Sequence, residues 1–425
     1  MLCRLLIVGG LILAAGQSAG QALDSLSESV PPNILVLTGR QVPALQGTSP
    51  SALRAFAVTG GTRVPLPVQV DERWSTPTGT AFAYETGDEP SRDPDPSFDN
   101  DDLLLLPANI PGERLPPAQR QGVVEIEVRN HAQPSARGWL YVVADATEPL
   151  PAPWLSYDDK TDAVRGRGYS LASKPERVAI VGDLRLGDHP GRSPNLIDRS
   201  KARLDLDLSL GLGRVRRTEE DVRARTTALH IGPLRIVREV EVRGRVVLGI
   251  YSRPLRERFV YYPDGFSIPT TVWIPPRYGR FLSGVSLRLT MDLDTNAEGM
   301  TFLSYPELPT ALPIDGSHGV RGGQQPLQWY LLRHQNTGLL GWLTAAPEVL
   351  ADVTLFYDDD AANPDPPEDI PGQIGQHGFW YRHKGRLPAG PLRLITHAWI
   401  LQGSDLADPA AARRRFEQRP TVLVH

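Results

Sequence analysis

Hydrophobic and polar residues alternate one by one along most of this chain. Val64, Leu66, Val68 and Val70 are separated by Pro65, Pro67 and Gln69, the period of two that a strand with one buried face produces. The pattern predicts a strand over 63–70, paired as a hairpin with 53–58 across the turn Gly60-Gly61. The next strong apolar run is Leu103 to Leu106, four leucines in a row, short enough to be a strand covered on both faces. Between the two lie about thirty residues rich in Pro, Gly, Ser, Thr and Asp, a loop long enough to be functional or disordered. Residues 33–38, VVEIEVRN (Val124, Ile126 and Val128 alternating with Glu125, Glu127 and Arg129) and GWLYVVAD complete the set. Five or six short strands with close turn signals predict a small N-terminal β-sandwich over 23–147. The Pro-rich stretch 148–154 then reads as a stiff linker.

Beyond it the strands lengthen. Leu204, Leu206, Leu208 and Leu210 alternate with Arg203, Asp205, Asp207 and Ser209, and Val285, Leu287, Leu289, Met291 and Leu293 repeat the pattern. At least nine further candidates follow the same rule up to residue 401, predicting a second all-β body over 155–425 with a core large enough for two stacked sheets. One helix is signalled, by Asp408 as cap and Pro409 at the first position ahead of AAARRRFEQR. It should stop before Pro420, after which TVLV reads as a last strand.

Residues 1–22 begin with one basic residue, Arg4, then an apolar run over 5–15 and small residues Ser18, Ala19, Gly20 and Ala22. That is the layout of a signal peptide, too short in its apolar part to span a bilayer, and it predicts a periplasmic or secreted protein. A lipid anchor would need Cys at the cleavage point, whereas the one Cys, Cys3, precedes the apolar run. A mature chain without cysteine must be held by its core rather than by disulfides. The formal net charge of -4 over 425 residues gives no broad positive field for nucleic acid or anionic lipid. No second apolar stretch reaches the roughly 18 residues of a membrane span.

Two resemblances follow from particular stretches. VPLPVQVDER followed by FDNDDLLLL is similar to a feature of secreted bacterial proteins of unassigned function, in which a strand ending V-D-E precedes F-D-x-x-D-x-L. GPLRIVREVEV (232–242), YYPDGFSI (261–268) and LPAGPLRLITHAWILQGSD (387–405) resemble the galactose-mutarotase-like super-sandwich domains of carbohydrate-active proteins. The second resemblance implies a large antiparallel β super-sandwich and a polysaccharide or oligosaccharide as ligand. No lyase catalytic signature can be placed residue by residue on this chain.

Candidate chemistry lies in three places. Asp93, Asp95, Asp99 and Asp101, with Asn100 and Asp102, gather oxygens that could wrap a hard cation such as Ca²⁺. The EF-hand pattern is not met, since Phe98 and Leu104 stand where Gly and Glu are needed; the competing reading is a solvated acidic turn. A second cluster, Asp358, Asp359, Asp360, Asp365, Glu368 and Asp369, is broken by prolines and reads as a mobile acidic loop. The third is HGFWYRHKGR at 377–386. Elimination from a uronate needs a base, usually Tyr or His, and a cation against the carboxylate; Tyr381, His383 and Arg382 supply the types. Alternation sends Tyr381 and His383 to one face of a strand and Arg382 to the other, so a joint site would draw on Arg333 or His334 instead. Trp329, Tyr330, Trp380 and Arg382 are the candidates for stacking on and bonding to a sugar, against the plainer reading that they pack a large sheet. Core packing ranks first, sugar binding second and catalysis third. The chain therefore reads as an exported glycan-binding β protein, with a polysaccharide-lyase-like enzyme or a protein-binding envelope component as alternatives. No Ser/His/Asp signature, zinc spacing, phosphate loop or nucleotide fingerprint appears.

Overall fold

The computed structural model describes residues 30–425 except 77–78, 83–85, 88–96, 110, 131–132, 146, 148, 176, 188, 212, 248–249, 253, 275–280, 369–371, 373 and 386–388. The expected signal peptide at 1–22 lies outside the described residues. The described chain is all-β, a small N-terminal sandwich joined to a large antiparallel super-sandwich.

In the small sandwich one sheet runs Thr62–Leu66, Leu53–Thr59, Gln133–Ala144, Val124–Asn130 and Thr421–Val424, and the other Ile34–Thr38, Leu103–Pro107 and Gln69–Asp71. The hairpin forms as the sequence predicts, with Thr59 opposite Thr62. Gly60 and Gly61 both take positive φ (57° and 74°), which a side chain would make costly. The expected single strand over 63–70 is instead two strands in different sheets. Pro67 has no N–H to continue the first ladder, so the chain crosses the sandwich there and Gln69–Asp71 joins the opposite sheet. The four leucines are covered on both sides: Leu104 and Leu106 fill the sandwich core, while Leu105 packs against the larger body. The last strand, Thr421–Val424, pairs with Val124–Asn130. That departs from the 155–425 assignment, because a period-two tetrapeptide carries no mark of which sheet it will extend.

In the larger body an eleven-stranded sheet faces a six-stranded one, Arg214–Thr218, Ile197–Leu208, Leu282–Leu293, Ile374–Lys384, Val353–Asp360 and Ser317–Arg321 in that order. A four-stranded sheet, Ser156–Asp158 to Arg177–Leu186, adds to the cover. Between them lies one core, with Val240, Phe259, Tyr261, Phe266 and Leu339 from the broad sheet meeting Leu293, Leu355, Tyr357 and Phe379. Each such side chain contributes about 1.5–3 kcal/mol by leaving water. The broad sheet's other face is covered as well: Val237, Val260, Tyr262, Trp342 and Trp399 pack against Ile34 and Leu105 of the small sandwich and Ala412 of the helix Pro409–Glu417. That helix starts as the sequence predicts, with the Asp408 carboxylate accepting the Ala411 N–H at 2.8 Å. No helix among the described residues is long and apolar enough to cross a membrane.

The second acidic cluster is not the mobile loop expected. Asp358 and Asp359 are buried at the end of Val353–Asp360. Asp365 and Glu368 fold onto the outer face of the six-stranded sheet, where Lys201, buried beside Asp292 at 2.6 Å, also donates to the Asp365 carbonyl at 3.1 Å. Buried cations on that face require oxygen partners, and the acids supply them; Asp369 lies outside the described residues.

Candidate functional site

At one end of the super-sandwich the two large sheets part and leave an open cleft of about 620 Å³. Its apolar walls come from the broad sheet (Ile274, Leu392, Leu394) and its polar groups from the facing one, Tyr381 and His383 on Ile374–Lys384, with Asp352 just before Val353–Asp360. Tyr381 and His383 share the inward face through strand alternation, and their rings lie parallel, centroids 6.3 Å apart. His383 Nδ1 is 2.7 Å from Asp352 Oδ2, a bond that orients the ring and leaves Nε2 as its second polar atom. Burial, reinforced by the Asp352 carboxylate, pushes the Tyr381 phenol up to about 12. The phenol therefore stays protonated near neutrality and offers a hydrogen bond. Glu348 and Arg393 also line the opening.

The other sequence candidates are dispersed. Arg382 lies on the opposite face of its strand, as alternation requires, donating to the Gly323 carbonyl and stacked 4.1 Å from the Trp380 ring. Arg333 and His334 sit at the turn leading into Thr337–Ala345, whose far end reaches the cleft; eight residues at about 3.3 Å each put them roughly 26 Å away. They do not join Tyr381 or His383. Tyr330 is buried in the core between the sheets, against Phe302 and His377. Trp329 is buried on the sheet's other side, stacked on the exposed Tyr305. Of the proposed calcium ligands, Asp93 and Asp95 lie outside the described residues. Asp99 accepts the Asp101 N–H at 3.0 Å, and the neighbouring Asp102 carboxylate takes the N–H groups of Arg73 and Asp99 at 2.7 and 3.0 Å. These acids shape the entry to the leucine strand.

One polar cluster was not foreseen, and the sequence stretches that prompted the resemblances build it. Asp71, of the V-D-E strand, is fully buried against His230 Nε2 at 2.8 Å and the Arg235 guanidinium, whose Nε is 2.8 Å from Oδ2. Gln69 Oε1 accepts the N–H groups of Leu234 and Arg235 at 2.8 and 2.7 Å. Gly232 is needed there, since a Cβ would come within 2.1 Å of the Gln69 side chain. Burial alone would raise the Asp71 carboxyl, but Arg235 and His230 outweigh it and hold it well below the usual carboxylate range. Asp264, of the Y-x-D-G turn, is similarly bound by Arg167 at 2.9 Å and by Asn33. These motifs weld the small sandwich to the large one. The signal was present as unusually placed acids and arginines inside apolar strands, but their pairing across 97 and 164 residues was not.

No family model matches the chain, and no curated protein is similar to it in sequence. Among solved structures, an α-mannosidase from Enterococcus faecalis V583 is similar over 95% of this chain and 48% of its own, with 9% identity and a TM-score of 0.47. A glycosyl hydrolase family 38 protein from Enterococcus faecalis gives 98%, 44%, 9% and 0.41. A candidate aldose 1-epimerase from Escherichia coli K12 gives 57%, 98%, 7% and 0.37. The chain thus spans about half the length of the mannosidase.

Proposed function

We propose that this is an exported carbohydrate-binding protein whose ligand enters the cleft beside Tyr381 and His383. The observation that carries the reading is the mixture of surfaces in one opening: aliphatic walls, two parallel rings, and an imidazole oriented by Asp352. A sugar ring has the matching character, with an apolar face to lie on a ring and hydroxyls to bond at its rim. A phenol held near 12 is a weak candidate for the base that elimination needs, which leaves His383 as the base to test for that alternative. The deciding experiment is an oligosaccharide array followed by titration calorimetry of the best binder. Tyr381→Ala and His383→Ala should each weaken binding about tenfold, the size of one well-made polar contact. Titration that is unaffected by both variants would remove the cleft from consideration, and release of an ultraviolet-absorbing unsaturated uronate would replace binding with elimination.

A further inference from the structure

On the outer face of the six-stranded sheet the charges are paired closely on one side, while on the other Arg288 meets a carboxylate only at 3.5 Å and Arg382 and Lys384 meet none among the described residues. Along Ile197–Leu208 and Arg214–Thr218, Asp205 pairs with Arg216 at 2.9 Å, Asp207 with Arg214 at 2.7 Å and Lys201 with Asp292 at 2.6 Å. Two strands further on, Trp380, Arg382 and Lys384 project to that same face, directly opposite Arg288, Ser286 and Gly284. Here the guanidiniums rest on rings. Arg382 lies 4.1 Å over Trp380, Arg288 lies 4.6 Å over Phe356, and the two rings meet edge to face at 5.8 Å. Trp380 is fixed further by its Nε1–H bond to Ser286 Oγ at 2.9 Å.

Arg288 reaches a carboxylate only at 3.5 Å, through an Asp365 oxygen that Arg203 contacts at the same distance. Arg382 donates to the Gly323 carbonyl and, at 3.5 Å, to Thr354 Oγ1, with no carboxylate within ion-pair distance among the described residues. Lys384 is exposed and likewise has no acidic partner among them. Burial lowers Arg288 below the usual arginine range, and the neighbouring Arg203 and Arg216 add to this while Asp365 opposes it. A preorganised cationic patch of this kind is favoured by a bound anion, because guanidiniums already locked by stacking lose little further freedom in forming a forked contact.

We propose that this outer face binds the anionic group, carboxylate or sulfate, of an acidic glycan, with Arg288, Arg382 and Lys384 supplying the charge and the half-buried Trp380 the ring edge against which a sugar can lie. The inference deepens the carbohydrate reading by naming an acidic ligand, and it concerns a surface separate from the cleft.

The test compares three probes by titration calorimetry on the full mature chain: oligogalacturonate, its methyl-esterified neutral form, and sulfated dextran. The acid form should bind more tightly than its ester, and the difference should shrink as salt rises, since exposed charges are screened. Arg382→Gln and Arg288→Gln should each reduce affinity for the acid form about tenfold, with Lys384→Gln, on the exposed strand end, giving a smaller loss in a variant whose folding is not at issue. Near-ultraviolet circular dichroism checks that each variant keeps its packing. Preference for sulfated dextran over oligogalacturonate would assign sulfate as the anion. Equal binding of acid and ester, or acid binding indifferent to all three variants, overturns this inference while leaving the cleft reading intact. Acid binding lost in these variants but retained in Tyr381→Ala supports it as a site distinct from the cleft, and failure of every probe overturns it while the oligosaccharide array decides the cleft separately.

Discussion

Two histidine–aspartate pairs of nearly equal length sit in opposite surroundings in this molecule. His230 and Asp71 meet at 2.8 Å, and His383 and Asp352 at 2.7 Å. The first pair is sealed between the two sandwiches, with Arg235 and Gln69 closing round the carboxylate. The second stands at the mouth of a cleft, with 23% and 34% of its side chains exposed. Burial makes every unmet bond of the first expensive, so that cluster is a joint. The second is part-exposed at the cleft mouth, where the proposed ligand would meet it. The lesson is that a His–Asp pair declares its role through what surrounds it.

The sharpest way to break the contrast is Asp71→Ala, which strands the Arg235 guanidinium without its carboxylate. Removing one partner of a buried pair costs about 3–5 kcal/mol, and chemical unfolding should register a loss of that order. Acid tests the interior more broadly. Burial pushes His377 down to about 4, against a small opposing effect of the Gly375 carbonyl, so between about pH 6.5 and 4 the unfolded chain takes a proton that the folded chain refuses. Stability should therefore fall on acidification across that window by up to about 3 kcal/mol. In His377→Gln this component of the pH slope disappears, whatever the variant's absolute stability; an unchanged slope would place the titration elsewhere. Asp71 acts in the same direction at lower pH: its stabilisation is complete above the unfolded pKa near about 3.9 and is lost as pH falls toward its depressed folded value.

Gly232→Ala tests the joint more gently. The added methyl must displace the Gln69 amide, and crowding of this kind costs about 1–3 kcal/mol, readable as a lowered melting temperature. The smallest effect belongs to the cleft. Asp352→Ala should shift stability by less than about 1 kcal/mol, as expected for a part-exposed ion pair, while weakening oligosaccharide binding through loss of the His383 orientation. A large destabilisation by Asp352→Ala would make the two pairs alike and remove the comparison.

Much of the architecture was legible because period-two hydrophobicity speaks directly to strands. Val285 to Leu293 alternates and faces inward, Leu103 to Leu106 is apolar throughout and covered on both sides, and Asp408-Pro409 starts a helix. Alternation also placed Tyr381 and His383 together and Arg382 apart. It failed at Pro67, where a continuous pattern hides a change of sheet, and at Arg333 and His334, whose distance from Tyr381 depends on how far along their strands the sheets part. Asp365 and Glu368 read as part of a mobile loop because the cations they cover, Lys201, Arg203 and Arg288, lie some 70 to 170 residues earlier.

What the sequence determined alone is therefore the local part: which stretches are extended, which face of each is apolar, and where turns and the Asp408 cap must fall, since these follow from backbone chemistry over a few neighbouring positions. Tertiary structure alone decided which sheet each strand joins and which charged side chains meet. Asp71 is bound by Arg235, Asp352 by His383, and Arg382 by a ring and a carbonyl, outcomes set by burial and distance between segments that carry no record of one another in their composition.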